Sequence, residues 1–99
     1  MAFKILYHED SLADLEEIFE WSRDKHPETM ERFASDLFDH IDLLQALPYI
    51  GTPVKGHRGS GGFCILPCTP INAYYRVDEN REAVEILHFW HSSRKAPRL

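Results

Sequence analysis

The spacing of apolar residues changes once along this chain, and that change limits the folds open to it. Between residues 11 and 47 they recur at intervals of three and four; between 63 and 91 they alternate by twos. The first period is that of a helix buried on one side, the second that of a strand. A chain of 99 residues with helices followed by strands is expected to form one domain, residues 1–99, with a helical layer on a sheet.

In the helical half, Ser11 reads as an N-cap with Asp14 at capping-box spacing, opening a helix over about 11–25. Leu12, Leu15, Ile18, Phe19 and Ser22 form its apolar stripe, and Asp14, Glu17, Trp21 and Asp24 the opposite face. Trp21 on that polar side suggests an interface or packing against another element. His26-Pro27 breaks the helix, and Pro27 suits the first turn of the next. Met30, Phe33, Ala34, Leu37, Phe38, Ile41, Leu44 and Leu47 then make a second stripe, closed by Pro48. So short a link predicts an antiparallel helical hairpin.

Phe3-Lys4-Ile5-Leu6-Tyr7 ahead of the helices is rich in strand formers. Residues 48–62, with five glycines, read as a loop that carries Lys55, His57 and Arg58. Its Gly59-Ser60-Gly61-Gly62 lacks phosphate-loop spacing and leads into a strand. Three strands follow: Phe63 to Leu66, Ile71 to Val77 and about Glu82 to His91. Turns at Pro67–Pro70 and Asp78–Arg81 separate them. The expected fold is therefore α+β, in the order β-α-α-β-β-β, with a helical hairpin on one face of an antiparallel-rich sheet. The last two strands carry apolar residues on both sides, so a partner or the tail should cover part of the second face.

The net charge of -5 is unevenly spread. Residues 1–50 hold 4 basic and 12 acidic side chains, and residues 51–99 hold 7 and 4. The total weakens a nucleic-acid reading, yet the split leaves room for a basic face built from Lys55, His57, Arg58, Arg76, His91, Arg94, Lys95 and Arg98. Arg76 could hold a phosphate or a partner's carboxylate, or pair across the strands with Glu85. No apolar run suits a membrane span, and the start is too polar for a signal peptide, so a cytoplasmic protein is expected. Cys64, Cys68, His88 and His91 fit zinc-ligand spacing poorly, and a disulfide does not suit that compartment. No metal or cofactor is expected.

The element order, the stretch Tyr75-Arg76-Val77-Asp78, and Val84-Glu85-Ile86-Leu87-His88-Phe89-Trp90-His91 with Arg94 resemble the RelE/ParE superfamily of toxins. So do Tyr7 and Leu12-Ala13-Asp14-Leu15 with Ile18. The resemblance spans the chain. It implies the toxin of a type II toxin–antitoxin module, one that stabilises plasmids. A cognate antitoxin would neutralise it by docking on the basic half or in an apolar groove of the hairpin, and the toxin could be a homodimer when free of antitoxin. ParE-like members inhibit DNA gyrase; RelE-like members cut messenger RNA on the ribosome. Alignment on Tyr75-Arg76-Val77 puts Pro67 near the position of a key RelE arginine, and no tyrosine follows Tyr75. Both departures favour the ParE-like branch. In the ribonuclease alternative His91, Arg94, Arg76 and His88 are the catalytic candidates, and a third possibility is an inactive or non-toxic binding module.

Overall fold

A computed structural model describes residues 2–25, 30–53, 63–68 and 71–91, without the side chains of residues 21–25, 30, 31, 33 and 68. In chain order the elements are β1 (Lys4–Tyr7), α1 (Glu9–Lys25), α2 (Met30–Asp42), a 3-10 turn (Leu43–Gln45), β2 (Thr52–Pro53), β3 (Phe63–Cys68), β4 (Ile71–Asp78) and β5 (Ala83–His91). The strands form one sheet in the order β1-β5-β4-β3-β2. Only the β1–β5 pair is parallel.

The β4–β5 register sorts side chains by face. Val77 and Val84, Tyr75 and Ile86, Ala73 and Phe89, and Ile71 and His91 pair on the inner face. Leu15, Ile18, Leu37, Ile41 and Leu44 from the helical layer bury against this face. Fully burying such a side chain stabilises by about 1.5 to 3 kcal/mol, so this cluster is the main force fixing the helices on the sheet. The two-layer architecture is the expected one.

Several local expectations need correction. α1 begins two residues earlier than expected, and Ser11 lies inside its first turn. The His8 carbonyl, not the Ser11 side chain, closes this end: it accepts the Ser11 hydroxyl at 2.6 Å and the Ser11 and Leu12 amides. The buried stripe also differs from the expected one. Ser11, Leu15 and Ile18 are buried, Asp14 is half-buried, and Leu12 is 52% exposed. The second helical stripe is interrupted by the tighter 3-10 turn, which buries Leu44 and leaves Leu43 and Leu47 exposed.

The expected loop after Pro48 contains β2, a two-residue edge strand paired to β3. β3 in turn runs through Pro67 to Cys68, where a turn was expected. Pro67 lies opposite Asn72 on the stretch of β3 that extends past β2, where a missing N–H is tolerated.

The sheet's outer face is partly closed, in line with the apolar residues on both sides of its strands. Tyr74 is only 4% exposed there and stacks on Phe63, with ring centroids 5.7 Å apart. Trp90 is half-buried opposite Asn72.

Candidate functional site

The outer face of β4 and β5 carries two of the described site candidates, Arg76 and His88. Arg76 lies opposite Glu85, as the cross-strand alternative required. Its Nη2 donates to Glu85 Oε2 at 2.8 Å, and Arg81 Nη1 donates to Glu85 Oε1 at 3.0 Å. One carboxylate thus holds two guanidinium groups. Arg81 also reaches back to Asp78 through its backbone N–H. Arg76 Nε is buried and finds no acceptor among the described residues, so the guanidinium is pinned at one end only.

His88 is opposite Tyr74, next to a register shift in the β4–β5 ladder. The shift places one extra residue, Leu87, on β5. Here β5 runs past the end of β1, whose last link is the His8 N–H to the Ile86 carbonyl. Asp14 of α1 fills the position that a strand would have taken. Its Oδ2 accepts the Phe89 amide at 3.1 Å and lies 3.0 Å from His88 Nδ1. A carboxylate accepts only, so Nδ1 carries the proton in this pair and Nε2 is left with its lone pair when the ring is neutral. Asp14 was absent from the sequence-derived site because helical periodicity placed it on the solvent side. Its partners, His88 and Phe89, are 74 and 75 residues away, so local periodicity carried no signal for the contact.

His91 lies on the inner face opposite Ile71, so His88 and His91 occupy different faces of β5. Lys55, His57, Arg58, Arg94, Lys95 and Arg98 lie outside the described residues. Of the eight residues of the expected basic face, the structure therefore places Arg76 and His91, and it does not bring them together. Among the described residues no three His, Cys, Asp or Glu side chains form a metal site. No described helix is long and apolar enough to cross a membrane.

The segment leading to β2 is tied to the sheet by two tyrosines. The Gly51 N–H donates to the Tyr75 hydroxyl at 3.0 Å, and the Tyr49 hydroxyl donates to Glu79 Oε1 at 2.9 Å. Burial pushes the Tyr75 phenol well above its ordinary range. Gly51 is required at this approach: an added Cβ would lie 2.7 Å from both the Ile65 carbonyl and the Tyr75 hydroxyl.

This two-helix layer on a five-stranded, mostly antiparallel sheet is the fold of the small toxins of type II toxin–antitoxin pairs. A chain of the chromosomal ParDE system from P. aeruginosa matches it with a TM-score of 0.72 and 21% identity, over 91% of this chain and 96% of that one. A chain of the RelBE2 toxin–antitoxin complex from Mycobacterium tuberculosis gives 0.66 and 18%, over 92% and 99%. A chain of the archaeal RelE–RelB complex from Pyrococcus horikoshii gives 0.63 and 13%, over 96% and 100%. A comparison with curated proteins finds no match.

The family described as the ParE toxin of the type II toxin–antitoxin system parDE matches residues 5–96. The chain belongs to that family.

Proposed function

We propose that this ParE-type toxin acts in the cytoplasm by binding and inhibiting DNA gyrase, and that a cognate antitoxin encoded beside it neutralises it in a plasmid-stabilising module. The family match over residues 5–96 carries this reading. Two features support a binding rather than a cleaving mode. Pro67 stands near the position of a key RelE arginine, and Glu85 already engages Arg76, the one described cation among the ribonuclease candidates. A cation committed to a carboxylate is less available to a developing phosphorane. Lys55, His57, Arg58, Arg76, His91, Arg94, Lys95 and Arg98 form the proposed contact set for target or antitoxin.

The test is expression with and without the adjacent antitoxin, followed by a supercoiling assay with purified gyrase. Growth arrest relieved by the antitoxin and loss of supercoiling are expected; unaffected gyrase removes the target assignment.

The Asp14–His88 pair favours one alternative, RelE-like cleavage of messenger RNA on the ribosome. A histidine held by a carboxylate at Nδ1 presents Nε2 as a proton acceptor, which cleavage through a 2′-hydroxyl requires. Cleavage on translating ribosomes that is lost in His88→Ala, His91→Ala or Arg94→Ala would establish it. Unchanged growth without the antitoxin would instead mark a non-toxic binding module.

A further inference from the structure

β1 is an edge of the sheet. Its inner neighbour takes one set of backbone groups: the Lys4 amide donates to the Glu82 carbonyl and the His8 amide to the Ile86 carbonyl. Backbone groups alternate sides along a strand, so those of Ile5 and Tyr7 point away from the sheet. Among the described residues no strand pairs with that side. Among the described residues the edge is closed by a backbone hydrogen bond only at its start, where the Phe3 amide donates to the Gln45 carbonyl. An open cleft of about 350 Å³, lined by Leu6, Tyr7, His8 and Glu85, lies at its other end. Unpaired edges are commonly blunted by proline, bulges or repeated lysines, and Lys-Ile-Leu-Tyr has one lysine and neither other device.

We infer that the outer edge of β1 is a docking strand for an extended segment of a partner protein that alternates apolar residues and carries Lys or Arg at its ends. The ladder and Leu6, half-buried on the face away from the core, supply affinity. Charge selects the occupant. Glu9 and Asp10 stand in the first turn of α1 just past β1, with Asp10 3.8 Å from His8 Nδ1. Asp42 acts on the Tyr7 phenol from α2. Against these acids the strand offers Lys4. Pairing β1 with β1 of a second copy would bring two such acidic sets together, whereas a basic-flanked segment meets them with opposite charge. The charge preference of this edge is the reverse of that proposed for the basic contact set.

The test uses two synthetic peptides with one alternating Val/Thr core, flanked by Arg pairs or by Glu pairs. The Arg-flanked peptide is expected to bind at least about tenfold tighter at low salt, with the ratio falling as salt rises. Amide exchange at Ile5 and Tyr7 should slow on binding. Ile5→Pro should abolish binding, since it removes an outward donor while leaving the β5 ladder in place. Should that variant fail to fold, Asp10→Lys with Asp42→Lys should reverse the preference. Equal binding, preference for the Glu-flanked peptide, no binding of either, or protection elsewhere would overturn the proposal. So would protection of Ile5 and Tyr7 by self-association without peptide. None of these readouts involves gyrase or growth, so they fail independently of the target assignment.

Discussion

Asp14 and His88 are 74 residues apart in the chain and 3.0 Å apart in the fold. The same carboxylate oxygen takes the Phe89 amide, so one side chain fastens α1 to the part of β5 that β1 does not reach. Asp14→Ala leaves two donors unpaired in a half-buried place, which should cost about 1 to 3 kcal/mol in urea unfolding. His88→Ala removes one of the two bonds and should cost less. Equal losses would show that the Phe89 contact contributes nothing.

Gly51 has a backbone carbonyl and a buried phenol against it. Gly51→Ala should destabilise by about 1 to 3 kcal/mol through overpacking, read as a lower midpoint of thermal unfolding. Tyr75→Phe loses only the hydroxyl bond and should cost about 1 kcal/mol. Combining them should not restore stability, because the Ile65 carbonyl also stands 2.7 Å from the added carbon.

Tyr7, Tyr74 and Tyr75 all have phenols raised above the ordinary 10.0, in each case chiefly by burial. The unfolded chain therefore ionises first as pH rises. Their contribution is complete below pH 10.0 and is lost as pH climbs through and above it. Thermal midpoints should be insensitive to these groups at neutral pH and fall on the alkaline side. Tyr75→Phe should flatten that fall, and an unchanged slope would contradict burial of this phenol.

Arg76 is held by Glu85, yet its buried Nε finds no acceptor among the described residues. The pair is partly exposed, so its Coulomb gain is small, and the orphaned donor offsets part of it. Arg76→Met should change stability by less than about 1 kcal/mol. Glu85→Ala, which releases Arg76 and Arg81 together, should cost more than Arg76→Met in the same urea measurement.

Glu82 has φ of 49°. This left-handed turn conformation lets its carbonyl receive the Lys4 amide. Glu82→Gly should raise stability by up to about 1 kcal/mol, the backbone strain removed being larger than the chain entropy added. A loss of stability would mean that the glutamate side chain matters more than the turn.

The layered fold was legible because periodicity is a property of whole segments. Ile71, Ala73, Tyr75 and Val77 face the core as their alternation requires, and Leu37, Ile41 and Leu44 follow the helical stripe. Position-specific contacts were less legible. Ser11 has cap chemistry, but its hydroxyl donates to the His8 carbonyl inside the first turn, and Asp14 accepts from the distant Phe89 amide, a contact that local spacing does not encode. β2 was hidden because two residues are too few to alternate. The Arg76–Glu85 pair was foreseeable from the hairpin register; the second guanidinium on Glu85 came from the turn, whose geometry the sequence did not specify.

The parallel pairing of β1 with β5 joins one end of the described chain to the other, since Tyr7 waits for Ile86. During synthesis, residues 4–7 have no sheet partner until most of the polypeptide has emerged. Such long-range pairing slows folding, and the helices can form well before the sheet that they cover. A nascent chain of this protein thus lacks the β1–β5 seam of its sheet until residues 83–86 have been made.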